Sequence, residues 1–244
     1  MKYRLIAIDL DGTVLDEAGT IIPSAKEAIQ RVLAKQVDVT LATGRMYQPS
    51  NRFAEELGIS VPLICYQGAM IREPGNGQVL WHKPLSLPTT QRVMTEIRQL
   101  GLHQYVYIDG VVYVEEIGER DLWYAQRNLA ELNLVADLTV LLKKQPTEIA
   151  VRGEPTDIDR LMDHFNVCFG PGVIVNKVHP RFCEIAHPKA GKGNALKYLA
   201  DLLGIPRRQT VAIGDGHNDI SMLKWAGLGI VVGNAPDEVK QAAD

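Results

Sequence analysis

The sequence has few cysteines, no long apolar run and no excess of basic residues, and each shortage argues against a class of protein. Its three cysteines, Cys65, Cys168 and Cys183, are far apart and form no Cys-x-x-Cys pair, which favours reduced core residues over a zinc or redox site. No apolar stretch approaches the roughly 20 residues of a membrane span, and the N-terminus has a strand pattern instead of a secretion signal. The net charge of -3 comes without a basic stripe. We therefore expect a cytoplasmic protein with neither a membrane nor a nucleic acid as partner.

The composition is that of a globular protein with an ample core. At 244 residues and 46% apolar content, the chain can form one large domain or two ordinary ones. The tryptophans Trp81, Trp123 and Trp225 fall on apolar faces of predicted strands or helices, so we expect them in the core and not at a binding surface.

Two carboxylates directly follow the first predicted strand. Arg4–Ile8 has the pattern of a strand in a parallel sheet, and Asp9 and Asp11 come next, before a sharp turn that Gly12 permits. Open α/β sheets bind ligands at the carboxyl ends of their strands. Adjacent carboxylates persist there when a cation joins them or when one holds a proton. Both arrangements suit phosphoryl transfer, with Asp9 as metal ligand and nucleophile and Asp11 as acid and base, while a solvated Asp-Gly turn is the plain alternative.

The order of predicted elements indicates an α/β fold with an inserted unit. A capping box at Ser24 and Glu27 predicts the start of the first helix, and the strand–helix alternation that follows predicts a parallel sheet. The rhythm then changes to hairpins and further strands, with a helix predicted at Glu119–Leu132. The first pattern returns with a helix at Lys192–Leu203. These changes predict a doubly wound parallel-sheet core that a second α/β unit interrupts.

Three further segments place polar groups at the ends of strands or the starts of helices. Thr43 and Gly44 follow the second predicted strand and offer a hydroxyl and backbone amides to phosphoryl oxygens. Lys192 offers a cation, Asp215 a hard oxygen ligand suited to Mg²⁺, and Asp219 a carboxylate that can orient the metal's surroundings. Each segment alone is equally compatible with an ordinary loop or a solvated side chain. Together they favour a phosphate-ester site.

The four segments resemble the haloacid dehalogenase superfamily, and within it the Cof-type phosphatases with a large α/β cap. The matching residues are 9–13, Thr43, Lys192 and 214–219, and the resemblance extends over nearly the whole chain. It implies a Rossmann-like core formed by residues 1–84 and 186–244. Residues 85–185 would form an inserted α/β cap that selects the substrate.

The resemblance also implies a role for each site residue. Asp9 would be the nucleophile that becomes an aspartyl phosphate, and Asp11 the general acid and base. The positions around Mg²⁺ would be Asp9, the backbone carbonyl of Asp11, Asp215 and, as the last acidic position, Asp219. Four residues would bind the phosphoryl group or support its binding: Thr43, Gly44, Lys192 and Asn218. Relatives usually carry Asn-Gly where this chain has Gln67-Gly68, which moves a polar group one methylene farther out.

The expected function is Mg²⁺-dependent hydrolysis of a small phosphorylated metabolite, such as a sugar phosphate, a phosphorylated vitamin or a flavin precursor. The presence of Asp11 argues against carbon–halogen cleavage, because dehalogenating relatives need no leaving-group acid there. A phosphomutase with the same nucleophile is the nearest alternative. A non-catalytic sugar-phosphate sensor is a more distant one, since a sensor would be expected to have lost Asp9, Asp11 or Lys192. The physiological substrate and the oligomeric state stay open.

Overall fold

A computed structural model describes residues 2–244, apart from the side chain of Arg127. The described chain contains thirteen strands: β1 (Leu5–Ile8), β2 (Asp38–Leu41), β3 (Leu63–Cys65), β4 (Met70–Arg72), β5 (Val79–His82), β6 (His103–Ile108), β7 (Val111–Val114), β8 (Leu132–Leu134), β9 (Glu148–Arg152), β10 (Ile174–His179), β11 (Phe182–Ala186), β12 (Thr210–Gly214) and β13 (Leu228–Val231). Its helices are α1 (Pro23–Leu33), α2 (Tyr47–Leu57), α3 (Leu87–Gln99), α4 (Glu119–Asn128), α5 (Pro155–Cys168), α6 (Lys192–Leu202), α7 (Ile220–Trp225) and α8 (Asp237–Lys240). The described residues divide into two compact units, of which the first comprises the residues up to His82 together with Ala190–Asp244, and the second Lys83–Lys189.

The first unit contains a parallel sheet with strand order β13-β12-β1-β2. Strand β1 lies between its neighbours in register, with Leu5 opposite both Thr210 and Asp38. A parallel bridge between Ala42 and Ile64 continues the sheet from β2 to β3. All carboxyl ends in such a sheet meet at one edge, where ligands bind in folds of this type. The predicted α/β class with a parallel-sheet core is confirmed.

The core of the first unit explains why β1 is apolar throughout. Leu5 and Ala7 are fully buried and belong to one hydrophobic cluster with Leu196 and Leu199 of α6 and Met222 of α7. Successive side chains of a strand point to opposite faces, so Leu5 and Ala7 share the face that these helices cover. The charged Asp9 follows as soon as the apolar run ends.

The second unit is built on a six-stranded sheet of order β10-β11-β9-β6-β7-β8. Its pairs are antiparallel except that β7 and β8 run parallel. Helices α3 and α5 contribute Val93, Ile97 and Leu161 to a core that also contains Val106 of β6 and Ile149 of β9. This unit therefore has a hydrophobic core of its own.

Two local predictions about helices were wrong. Ser24 and Glu27 do not form a capping box, because α1 begins at Pro23 with Ile22 as its N-cap and no side-chain cap bond. Proline at the first helical position is already fixed in a helical conformation, which accounts for this start. The helix predicted at Glu119–Leu132 ends earlier, since Leu129 adopts φ +49°, and the segment from Leu132 pairs as β8.

Two residues expected in the core lie at the surface. Trp123 is 56% exposed, and Cys168 is also exposed. Both lie on amphipathic helices, α4 and α5, where an apolar side chain can occupy the outer face. Cys65 and Cys183 are buried and, like Cys168, are free cysteines. Within residues 2–244, no helix is both long enough and apolar enough to cross a membrane.

Candidate active site

The ends of β1 and β12 bring two of the predicted acidic residues together. Asp9 continues β1, its backbone N–H donates to the carbonyl of Ile213 at 2.8 Å, and its side chain is buried. Asp215 follows β12 and accepts a hydrogen bond of 3.0 Å from the hydroxyl of Thr13. A Cβ placed on Gly12 would lie 2.3 Å from Asp215 Oδ2, and the backbone of Gly12 has φ +80°. The turn after β1 therefore requires glycine for both its conformation and its space.

A buried lysine joins two carboxylates of this cluster. Lys192 begins α6 with no exposed surface, and its Nζ donates to Asp9 Oδ1 at 2.5 Å and to Asp219 Oδ1 at 2.6 Å. Burial disfavours the charged ammonium, but the two carboxylates outweigh it and raise the pKa of Lys192 above its ordinary value. Lys192 is therefore a fixed positive charge at neutral pH.

Asp219 holds the loop after β12 in place. Its Oδ2 accepts hydrogen bonds of 3.0 Å from the backbone N–H groups of Asp215 and Gly216, while its Oδ1 accepts from Lys192. Both of its oxygens are thus engaged by protein donors. This geometry suits a residue that orients the lysine and the loop after β12.

The charges of the cluster fit a divalent cation. Burial raises the pKa of Asp9 to about 7, although Lys192 lowers it, and repulsion from Asp219 raises it further. Burial also raises the pKa of Asp215. One carboxylate oxygen from each of Asp9, Asp215 and Asp219 lies within 4.8 Å of the others. Such hard oxygen donors are those that Mg²⁺ prefers, and a cation between them would favour their ionised forms.

The side chain of Asp11 is paired with Arg45. Arg45 donates to both carboxylate oxygens of Asp11, at 2.8 Å through Nε and at 2.6 Å through a terminal nitrogen. Half of the Asp11 side chain is exposed. A bidentate arginine fixes the orientation of a carboxylate. The family resemblance implies that the backbone carbonyl of Asp11, and not this paired side chain, would be offered to a metal.

The predicted phosphate-binding residues lie on neighbouring strand-end loops. Thr43 is fully buried, and its hydroxyl accepts a hydrogen bond of 3.1 Å from the backbone N–H of Arg45. Asn218 Nδ2 donates to Gln67 Oε1 at 2.8 Å. Gln67 also lies against Gly44, since a Cβ on Gly44 would be only 2.2 Å from Gln67 Nε2. The side chain of Gln67 therefore contacts both the Thr43–Gly44 loop and Asn218.

Comparison with known proteins identifies the family of the chain. A family profile described as haloacid dehalogenase-like hydrolase matches residues 6–244. The chain belongs to this family. Phosphatase YwpJ of Bacillus subtilis (strain 168) is 28% identical over 267 residues, covering 99% of this chain and 93% of that protein. Pyridoxal phosphate phosphatase YbhA of Escherichia coli (strain K12) is 29% identical over 253 residues, covering 100% of this chain and 93% of that protein. A haloacid dehalogenase-like hydrolase from Bacteroides thetaiotaomicron, known from its crystal structure, has a TM-score of 0.89 and 25% identity, covering 100% of this chain and 93% of that one.

These similarities confirm the family and the hydrolase class that the sequence signatures predicted. In this haloacid dehalogenase-like hydrolase, four of the predicted site residues form one buried or half-buried cluster: Asp9, Lys192, Asp215 and Asp219. The predicted phosphate-binding loops contact each other through Gln67. The chemical roles of these residues stay predictions.

Sequence reasoning missed three polar contacts of the site. Thr13 and Arg45 stand inside or next to segments that were singled out, so their proximity to the carboxylates was open to prediction. Asn234 had no such signal, because it follows β13 far along the sequence. Its Nδ2 donates to the carbonyl of Gly12 at 3.1 Å and lies 3.4 Å from Asp215 Oδ2. Asn234 thereby ties the loop after β1 to the loop after β12.

Proposed function

We propose that this hydrolase is a Mg²⁺-dependent phosphatase that hydrolyses small phosphorylated metabolites through an aspartyl phosphate on Asp9. The observation that carries the proposal is the buried contact of Lys192 with Asp9 and Asp219, beside the half-buried Asp215. A fixed ammonium beside Asp9 favours its carboxylate form, which is the nucleophilic form. The remaining carboxylate oxygens suit a metal that binds phosphate esters.

In the first step, a carboxylate oxygen of Asp9 forms a bond to phosphorus while the bond from phosphorus to the ester oxygen breaks. Asp11 gives a proton to that departing oxygen, so the alcohol leaves neutral. Asp11 must carry that proton when the ester is bound, whereas in this structure both of its carboxylate oxygens accept hydrogen bonds from Arg45. The product is a mixed anhydride of Asp9 and phosphate.

In the second step, water attacks the phosphorus of the aspartyl phosphate and restores Asp9. Asp11 is now a carboxylate and accepts the proton of that water. Its hydrogen bonds with Arg45 can hold the carboxylate in a fixed orientation for this step. Over the two steps, Asp11 gives up one proton and regains one, and the phosphoryl group passes from the ester to Asp9 and then to water. Inorganic phosphate leaves.

The phosphoryl oxygens would be held by three loops. Thr43 and Gly44 offer a hydroxyl and backbone amides, Lys192 a charge and Asn218 an amide. Mg²⁺, held by Asp9, Asp215 and the backbone carbonyl of Asp11, would add electrostatic stabilisation of the charge on the transferring group.

The site residues do not select the leaving group of the substrate. Every group named above binds or transfers the phosphoryl group alone, so discrimination among leaving groups must come from elsewhere. We propose that residues 85–185 supply it, as the resemblance to capped phosphatases implies. The relative named pyridoxal phosphate phosphatase supports a phosphorylated vitamin or a similar small metabolite as substrate. The cytoplasmic location stays a prediction from the sequence.

The test is phosphate release from a panel of sugar phosphates, phosphorylated vitamins and flavin precursors, with Mg²⁺ and again with EDTA. We expect metal-dependent release from some members of the panel and none from an Asp9→Asn variant that keeps its fold. Unchanged turnover in Asp9→Asn would refute the assigned nucleophile. Binding of esters without any release would favour a phosphomutase or a sensor instead.

A further inference from the structure

The short turn after β3 has an unusual backbone conformation for its residues. Tyr66 and Gln67 adopt φ +51° and +53°, and Gly68 follows at φ +90°. Left-handed conformations are uncommon for residues other than glycine, and asparagine adopts them much more readily than glutamine. Gln67 is nevertheless only 4% exposed, so its conformation is enforced by the surrounding protein. Non-glycine residues held in this way are concentrated at functional sites.

The turn contacts three segments of the candidate active site, two of them through its backbone. The backbone N–H of Gln67 donates to the carbonyl of Thr43 at 3.1 Å. A Cβ placed on Gly68 would lie 2.4 Å from the carbonyl of Gly191 and 2.8 Å from the backbone nitrogen of Lys192. The turn thus contacts the loop after β2 on one side and the start of α6 on the other.

The side chain of Gln67 adds the third segment. Its Oε1 accepts the 2.8 Å hydrogen bond from Asn218 Nδ2, and its Nε2 lies against Gly44. An amide group has a defined donor and acceptor end, so this hydrogen bond fixes which atom of Asn218 points toward Gln67. The second N–H of Asn218 Nδ2 is consequently oriented as well, and it is the donor that a phosphoryl oxygen can accept from.

We propose that Gln67 is a positioning residue that aligns Asn218 and the Thr43–Gly44 loop for binding of the phosphoryl group. This inference rests on the proposed phosphatase function. The chain carries glutamine at this position, although asparagine fits the left-handed backbone better. From the same backbone, asparagine would be one methylene short of Asn218. The length of the side chain is therefore the property that the position requires, at the expense of a less favourable backbone.

A Gln67→Asn substitution is therefore expected to preserve or raise stability while it weakens phosphate binding. Its melting temperature should equal or exceed that of the wild type, because asparagine relieves the backbone. Its dissociation constant for inorganic phosphate in saturating Mg²⁺, measured by titration calorimetry, should rise about tenfold, the loss expected for one aligned hydrogen bond to a charged group. With a substrate from the panel, KM should rise more than kcat falls, since the chemistry of Asp9 and Asp11 is untouched.

A matched control exists in the same unit. Gln36 is also a glutamine with a left-handed backbone, at φ +58°, but it is exposed between α1 and β2. Gln36→Asn should change the melting temperature in the same direction and leave the phosphate affinity unchanged. If Gln67 acts through Asn218, Gln67→Asn should weaken phosphate binding much less in an Asn218→Ala background than in the wild type.

The possible results separate this inference from the function on which it rests. Phosphate affinity within about twofold of the wild type in Gln67→Asn would overturn the inference, even if the wild type is an active phosphatase. Weaker binding together with a melting temperature below that of Gln36→Asn would also overturn it, because Gln67 would then only maintain the fold. If the wild type binds phosphate but releases none from any ester, the proposed function fails, and the inference is decided by the phosphate affinities. If the wild type releases phosphate from esters but binds no inorganic phosphate, the inference is overturned and the proposed function stands.

Discussion

Removing the buried ammonium of Lys192 should destabilise the first unit in a way that depends on pH. Lys192 has no exposed surface and contacts Asp9 and Asp219, whose side chains are 7% and 1% exposed. A Lys192→Met variant keeps the apolar bulk of the side chain but leaves two buried carboxylates without their cation. Breaking a buried ion pair by removing one partner typically costs about 3–5 kcal/mol. We expect a loss of that size in the free energy of unfolding at about pH 8.

The sign of the pH dependence follows from Asp9. In the wild type, its pKa is raised to about 7 although Lys192 lowers it, so without the lysine it must be higher still. A carboxyl group whose folded-state pKa lies above its unfolded value loses stability as pH rises, until the folded pKa is passed. In the wild type, the loss of stability with rising pH ends near the raised pKa of Asp9. In Lys192→Met, where the pKa of Asp9 is higher, stability continues to fall above that pH. The deficit of the variant should therefore grow above about pH 7, by up to about 1.4 kcal/mol per pH unit.

The measurement is urea unfolding in EDTA at about pH 6 and about pH 8.5, because these values lie on either side of the raised pKa of Asp9. A Trp123→Phe background removes the tryptophan of the second unit, so that the fluorescence of Trp81 and Trp225 reports on the first unit. Lys197→Met is the matched control, since Lys197 is an exposed lysine of the same helix and should change stability by less than about 0.5 kcal/mol. A pH-independent deficit below about 1 kcal/mol in Lys192→Met would refute the reasoning.

Three further predictions concern other positions. Asp11→Asn should lower kcat by about 10²–10⁴-fold while phosphate affinity is kept, and a loss below about tenfold would contradict an acid–base role. Glu148 is buried, and burial with repulsion from Glu184 raises its pKa well above 4.5. A carboxyl group with a raised folded-state pKa makes the protein less stable as pH rises above its ordinary pKa. In urea unfolding, Glu148→Gln should therefore be more stable than the wild type at neutral pH but not at about pH 4. The difference in the free energy of unfolding should grow by up to about 1.4 kcal/mol per pH unit. Gly44→Ala should weaken phosphate binding, because its Cβ would lie 2.2 Å from Gln67 Nε2, and an unchanged affinity in calorimetry would contradict the close packing of this loop.

The part of the site that was predictable from sequence is the part that consists of strand ends. Asp9, Thr43 and Asp215 each follow a short apolar run, and a parallel sheet brings such positions to one edge whatever their separation in sequence. Lys192 was predictable as a helix start, but its complete burial was not, since lysines at helix starts are ordinarily solvated. Its burial depends on having two carboxylates as partners, 183 and 27 residues away in the chain.

Sequence patterns did not predict contacts that depend on the direction of a side chain. The capping box at Ser24 failed because Pro23 one residue earlier determined the start of α1. Trp123 was expected in the core but is exposed. Helical periodicity identifies an apolar face but does not say how much of that face another element covers. Asn234 reaches the loop after β1 from more than 200 residues away, and its surroundings in the sequence give no reason to select it.

The contacts to which the proposed chemistry is assigned also determine which parts of the site can change without unfolding the protein. Lys192 neutralises buried carboxylates, so the fold itself depends on a charge that the proposed chemistry uses. Gln67 differs, because it lies in a backbone conformation that other residues adopt at least as well, and its side chain carries no charge. A substitution there should alter phosphate affinity while leaving the buried charges in balance. In this chain, the position of Gln67 is therefore one where the proposed alignment of the phosphoryl group can be changed without disturbing the buried charges, whereas the position of Lys192 is not.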